Sequence, residues 1–307
     1  MTSQTISTND PKRIWTSVKD GRLKRLITIR EEAYPYVTRI PFPEIWKSPG
    51  HASSTLGQVK RAIDVPPFGE LADPRVLAEL AAAAEERGWD GFFVWDHILH
   101  RSPAKAIADP WIALAAVACA TNTVRIGPMV TPLSRRRVQK LARETVTLDV
   151  LSSGRLTLGV GLGSTRNGEF EPFGEVTDPR ERAQLLDKGL ADLTRYWSGD
   201  FEPAPVQRPR IPIWVGGEWP YRRPLERALR WDGYFPTGLP GPDALAEVTA
   251  KIRQARPADL PFDVIVDLPP DEDTGPWERA GATWSVTDFG LQPSRAEVLA
   301  VINNGPS

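Results

Sequence analysis

"DGFFVWDHILH", residues 90–100, runs four apolar or aromatic side chains, Phe92 to Trp95, straight into Asp96 and His97. A run that is apolar at consecutive positions reads as a strand covered on both faces, as in parallel sheets flanked by helices. An acid and an imidazole resist burial without partners. The strand is therefore expected to emerge at Asp96-His97, where polar groups are put to use.

Outward from that stretch, short β-type runs alternate with helical patterns. Strands are predicted at 59–65, 91–95, 124–129, 155–160, 211–215, 233–235, 262–267 and 282–286. Helical patterns fall at 74–87, 110–120, 135–151, 180–197, 222–230 and 242–256, with a short helical turn at 277–280 and a last helix at 294–303. Eight strand–helix units over about 250 residues predict an α/β fold, a closed (β/α)8 TIM barrel. The open doubly wound sheet is the rival, but Gly159-Val160-Gly161-Leu162-Gly163 fails the spacing of the dinucleotide-binding fingerprint.

Bulk properties narrow the function classes. A formal charge of -1 and a pI near 6.4 give no basic field for nucleic acid. No uninterrupted apolar run approaches the roughly 20 residues a bilayer requires, and the polar N-terminus lacks a secretory core. A soluble, cytoplasmic protein with no membrane partner is expected. The one cysteine, Cys119, lies in an apolar run and is expected to be a buried structural thiol. Three histidines and no close His/Cys cluster predict no metal site.

Residues 1–57 mix charges with scattered prolines and show one possible strand, at 25–30. They are expected to be an extension, disordered or draped over a domain spanning 58–307. A start codon at Val59 would leave them out of the native product altogether.

In such a barrel, chemistry gathers where strands end. Those ends carry Phe68, then Asp96-His97, then Met129-Val130-Thr131. They continue with Gly161-Leu162-Gly163-Ser164 and nearby Asn167, then Gly216-Gly217-Glu218-Trp219, then Thr237-Gly238. Asp96 either caps the next loop or orients His97, whose imidazole is the side chain suited to proton transfer near neutral pH. The glycines are either turn residues or places where backbone approaches a bulky ligand. Arg222 and Arg223, at a helix start beside Gly216-Gly217, would make a phosphate seat. The basic cluster at 134–137 would do the same, or be a solvated turn. Phe68, Trp95, Trp111 and Trp219 offer apolar walls or core. Gly127-Pro128 predicts an irregular backbone at the top of the third strand, since proline removes a ladder hydrogen bond.

Five stretches occur in order: RGWDGFFVWDH (87–97), DPWIALAAVACATNTVRIGPMVTPL (109–133), LARETVTLDVLSSGRLTLGVGLG (141–163), EFEPFG (169–174) and IPIWVGG (211–217). Together they resemble the bacterial luciferase-like flavin and deazaflavin oxidoreductases, (β/α)8 barrels, over 59–306. The resemblance implies a non-proline cis peptide at Met129-Val130 behind the coenzyme ring, with Val130 and Thr131 lining it. It implies that Gly161, Gly163 and Asn167 touch the ring edge or ribityl chain, and that Gly216-Gly217 take the phosphate end. It also implies that His97 lies near the reacting carbon. The sequence departs from the sugar-phosphate dehydrogenases of the deazaflavin branch, which carry a glutamate at Ser164 and a tryptophan at Arg101.

The expected activity is a monooxygenase using reduced FMN and oxygen on a small organic substrate. The alternative is hydride transfer with coenzyme F420, and a further alternative is non-catalytic flavin binding. A Schiff-base aldolase needs a lysine at a strand top, and Lys60 lies at the opposite end. The resemblance also implies a homodimer and, for some members, a separate flavin reductase.

Overall fold

In the computed structural model the chain divides into two compact units, Met1–Ser54 and Thr55–Ser307. The structure describes residues 59–100, 105–257 and 259–306, and the backbone of two short strands in the first unit. These are β1 (Ser17–Lys19) and β2 (Arg22–Lys24), paired antiparallel with Val18 opposite Leu23. The strand expected at 25–30, and the rest of the expected extension, lie outside the described residues.

The second unit is the expected barrel. Its strands are β3 (Lys60–Val65), β4 (Gly91–Val94), β5 (Arg125–Pro128), β6 (Thr131–Pro132), β7 (Leu158–Gly161), β8 (Ile213–Glu218), β9 (Gly233–Thr237), β10 (Asp263–Leu268) and β11 (Trp284–Asp288). They form one sheet in the order β5-β4-β3-β11-β10-β9-β8-β7-β6, each pair parallel. The two ends of that sheet, β5 and β6, are consecutive pieces of one strand interrupted at Met129-Val130. Eight strands therefore make a ring.

The break is where Gly127-Pro128 predicted irregularity, and the Met129-Val130 peptide is cis. Below it the ring closes through backbone bonds from Ile126 N to Arg155 O (3.1 Å) and Thr157 N to Ile126 O (2.9 Å). Two glycines make this closure possible. A Cβ at Gly127 would collide with the Thr157 carbonyl oxygen, and one at Gly159 with that of Pro128.

Helices α1 (Pro74–Glu86), α2 (Pro110–Ala120), α3 (Val138–Leu151), α4 (Pro179–Arg195), α5 (Arg222–Ala228), α6 (Pro242–Ala255), α7 (Gly275–Ala280) and α8 (Arg295–Asn304) cover the outside. Asp73, Asp109, Asp178 and Ser294 cap their helices with side-chain oxygens, which satisfies first-turn N–H groups that have no intrahelical partner. Strand α-facing residues such as Ile63, Phe92, Ile126 and Leu158 bury against the helices in one large core. Inside the ring a second core of Ala62, Phe93, Met129, Trp214, Phe235, Ile265, Trp284 and Val286 fills the lower barrel, so it is a plug and not a channel.

Several expectations need correction. The helix expected at 135–151 begins only at Val138, after a 3-10 turn at Leu133–Arg135 that turns Arg135 inward. The strand expected at 155–160 is regular only from Leu158, and one residue longer at its top. Cys119 is exposed, not buried. It sits on the outer side of α2, whose buried face is Trp111, Ala113, Leu114, Val117 and Ala118. Among the described residues no helix is long and apolar enough to cross a membrane.

Candidate active site

The floor of the barrel mouth is built around Val130. Its side chain packs on the inner core and is half-buried. The neighbouring strand tops are glycine: a Cβ at Gly161 would come 2.8 Å from Val130 Cγ2, and one at Gly216 3.1 Å from Cγ1. The absence of side chains at these two positions lets Val130 lie between β7 and β8 as a low apolar platform. Gly163 and Gly217 serve the surrounding frame. Gly163 has φ 70°, with a Cβ there 2.7 Å from Pro132, and a Cβ at Gly217 would strike Pro224 at the start of α5.

Beside the platform, Asp96 and His97 follow just beyond the end of β4. Asp96 is 1% exposed, and its carboxylate is fully committed. It accepts hydrogen bonds from Thr131 Oγ1 (2.7 Å), Arg136 NH2 (2.6 Å) and Arg135 NH2 (3.1 Å). Arg135 NH2 also reaches Glu169 Oε1 at 3.3 Å. Glu169, wholly buried, holds His97: its Oε2 lies 2.8 Å from His97 Nδ1, and its Oε1 accepts from Ile98 N at 2.8 Å. Burial alone would raise the Glu169 carboxyl, but the His97 ring, the Ile98 N–H and Arg135 outweigh it and hold it below the ordinary value. Two carboxylates thus face two guanidiniums in a closed network, with His97 at its mouth-side edge.

Arg182 supports this from behind. It donates to the carbonyls of Leu162 (3.1 Å) and Gly163 (2.9 Å), and its guanidinium lies 5.0 Å from the Phe170 ring centroid. The loop that carries Glu169-Phe170 is thereby tied to the end of β7.

An aromatic wall continues from His97. Phe68 meets it edge-on at 5.7 Å between ring centroids, Trp95 lies 5.9 Å away, and His100 lies 5.5 Å away. Trp95 donates its Nε1–H to Asp64 Oδ2 at 3.1 Å. Asp64 stands directly across from Asp288 in the β3–β11 register, and Asp267 tops the next strand, β10. Burial, then the charge of Asp288, raises the Asp64 carboxyl well above the usual carboxylate range. Burial likewise raises Asp267, to about 6.

The structure gathers Phe68, His97, Val130, Gly161 and Gly216 around one mouth. Met129 is 5% exposed, below it in the inner core, and Thr131 is enclosed and spends its hydroxyl on Asp96. Asn167 lies half-buried in the 3-10 turn Thr165–Asn167 above β7. Arg222 is on the surface, its side chain 87% exposed and paired with Glu226 at 2.6 Å. Trp111 belongs to the outer core between helix and sheet, and Trp219 packs against that same core. Asp96 does not orient His97, as one sequence reading had it; Glu169 does. The 134–137 cluster is neither a phosphate seat nor solvated at Arg135 and Arg136, which neutralise Asp96. Arg101 lies outside the described residues. Among the described residues no group of His, Cys, Asp and Glu could hold a metal ion.

Sequence reasoning missed Glu169, Asp64, Asp267 and Asp288, and gave Arg135 and Arg136 another role. For the aspartates a signal existed: each follows an apolar strand at a position of inward parity, as Asp96-His97 follows its own strand.

Comparison with known proteins agrees with this geometry. The model of the luciferase-like monooxygenase family matches residues 48–270. An F420-dependent glucose-6-phosphate dehydrogenase of Microbacterium testaceum is 30% identical over 227 residues, 66% of each chain. The oxygenase component of a flavin-dependent trigonelline monooxygenase from Acinetobacter baylyi is 27% identical over 158 residues, 47% of this chain and 43% of that one. The chain thus spans about two thirds or less of the length of these curated relatives. Among solved structures, the coenzyme F420 dependent tetrahydromethanopterin reductase from Methanopyrus kandleri superposes with a TM-score of 0.64 at 16% identity, covering 81% of this chain and 98% of that one. With the family model matching well over half of the chain and the barrel in agreement, this chain belongs to the luciferase-like monooxygenase family.

Proposed function

We propose that this chain is an oxidoreductase that binds a flavin-type coenzyme at the barrel mouth, with coenzyme F420 as the preferred one. The observation that carries the reading is an imidazole fixed by a buried carboxylate, His97 on Glu169, standing beside the Val130 platform. The residues present fit a planar ring system: the platform is apolar, and no side chain rises from Gly161 or Gly216 around it. The similarity to an F420-dependent dehydrogenase over 227 residues supports the choice of coenzyme.

Bound F420 would supply hydride chemistry, exchanged with the carbon of a small organic substrate. The chain's own residues supply position and a proton path. With Nδ1–H donated to Glu169, His97 keeps Nε2 to take or return the substrate's proton. Phe68, Trp95 and Val130 exclude water from the reacting face. Asp96 keeps the network rigid by pairing with Arg135 and Arg136.

The second reading is FMN with oxygen, a monooxygenase supplied by a separate reductase. The similarity to a flavin-dependent monooxygenase favours it, and so does Ser164, which stands where the F420 sugar-phosphate branch has its glutamate. Either form is proposed to work as a homodimer. Titration of the full chain with F420 and with FMN, followed by coenzyme fluorescence, separates the two. F420 is expected to bind more tightly, and tighter FMN binding transfers the proposal to the monooxygenase. Binding of neither overturns both readings, and coenzyme binding without turnover identifies a non-catalytic binder. His97→Ala is expected to cost about 100-fold in turnover while leaving coenzyme affinity within a few-fold.

A further inference from the structure

The half of the mouth opposite the glycines carries three carboxylates and, among the described residues, no lysine or arginine paired with them. Asp64, Asp267 and Asp288 top β3, β10 and β11, three neighbours in the ring. Each stands two residues beyond a member of the inner core, Ala62, Ile265 and Val286, so by strand alternation each points to the barrel interior. Asp64 and Asp288 are partners in register.

Asp64 is the telling member. It is 3% exposed, and while its Oδ2 accepts from Trp95, its Oδ1 is buried with no hydrogen-bond partner. Buried carboxylate oxygens are nearly always satisfied, so an orphan at the top of a barrel strand points to a group supplied by a ligand. Asp288 spends Oδ1 on Gly290 N at 2.9 Å, which fixes it beside Asp64 without neutralising it. Trp95 and Phe68, edge to face at 6.2 Å, wall the same space. Carboxylates next to aromatic rings are the chemistry that recognises an organic cation. The three acids do not converge as metal ligands. An anionic sugar phosphate would meet like charge here.

We infer that the substrate of this site is an organic cation, an amine or quaternary ammonium compound, whose charged nitrogen is held by Asp64 and Asp288, with Asp267 beside them, against the Trp95 ring. This inference rests on the oxidoreductase reading for the identity of the site, but the charge preference is measurable without it.

Calorimetric titration of the full chain with benzyltrimethylammonium, benzylammonium, benzyl alcohol and glucose 6-phosphate, with and without F420 or FMN, tests it. The two cations are expected to bind at least about tenfold more tightly than the alcohol, and the phosphate not at all. Asp64→Asn and Asp288→Asn, made separately, are each expected to lose at least about tenfold in cation affinity. Both should keep coenzyme affinity within about threefold. Equal binding of the alcohol, binding of the phosphate, wild-type cation affinity in both variants, or no cation binding overturns the inference. Absence of coenzyme binding with the cation preference intact would sink only the oxidoreductase reading.

Discussion

Glu169 Oε2 lies 2.8 Å from His97 Nδ1, although 72 residues separate the two in the chain. The carboxylate is buried and the imidazole borders the mouth, so Glu169 sets which ring nitrogen carries a proton and which faces chemistry. Glu169→Gln keeps the shape and leaves the amide free to present either its oxygen or its NH2 to the ring. Turnover is expected to fall about 10- to 100-fold with coenzyme affinity nearly unchanged, a kcat effect. Equal turnover in the variant would remove Glu169 from the positioning of His97.

Asp96 pairs with two guanidiniums, buried Arg135 at 2% side-chain exposure and half-buried Arg136 at 16%. Asp96→Ala strands Arg136, leaves Arg135 with Glu169 alone, and removes the acceptor of Thr131. A loss of about 3–5 kcal/mol in unfolding free energy is expected, read by urea titration. Arg136→Met in the Asp96→Ala background should recover part of that loss, because it removes one stranded charge. A variant as stable as the parent would contradict the network.

Gly161 and Val130 compete for the same space. A methyl at Gly161 would press on Val130 Cγ2 at 2.8 Å, so Gly161→Ala should tilt the platform and weaken coenzyme binding about tenfold. Val130→Ala in the same chain opens that space and should restore part of the affinity. Additive losses in the double variant would show that the two do not meet. Gly216→Ala, at 3.1 Å, should be the milder change.

Asp267 titrates near 6 because burial and the neighbouring Asp288 disfavour its charge. Its folded-state pKa lies above its unfolded one, so the folded protein holds the proton more tightly between about pH 4 and 6. Its contribution to stability is greatest below that window and is lost as pH rises through it. Asp267→Asn removes this charging cost. Allowing for its partial exposure, the variant should gain about 2 kcal/mol over the parent above pH 6 and little below pH 4, read as unfolding free energy at both pH values.

How much of this was legible in the chain follows from what each signal depends on. Strand–helix alternation is a local property, written in the spacing of apolar residues. The eightfold barrel and the emergence of Asp96-His97 at a strand top follow from it, and the break after Gly127-Pro128 from proline's missing ladder N–H. Helix α2 shows the limit: PWIALAAVACA is apolar around its whole circumference, so nothing in it says which side faces water, and Cys119 came out exposed.

The pairing of charges is not local. Only the closing of the ring and the turn at Leu133–Arg135 brought Arg135 and Arg136 to Asp96 and His97 to Glu169. Asp64, Asp267 and Asp288 are scattered over 225 positions of sequence, and the curvature of the sheet makes them neighbours. The sequence by itself determined the barrel and which end of it would be polar, because periodicity and turn chemistry act over a few residues. Tertiary structure alone decided which acid holds the histidine and which buried carboxylate oxygen is left unsatisfied, because electrostatic partners are selected by distance in space.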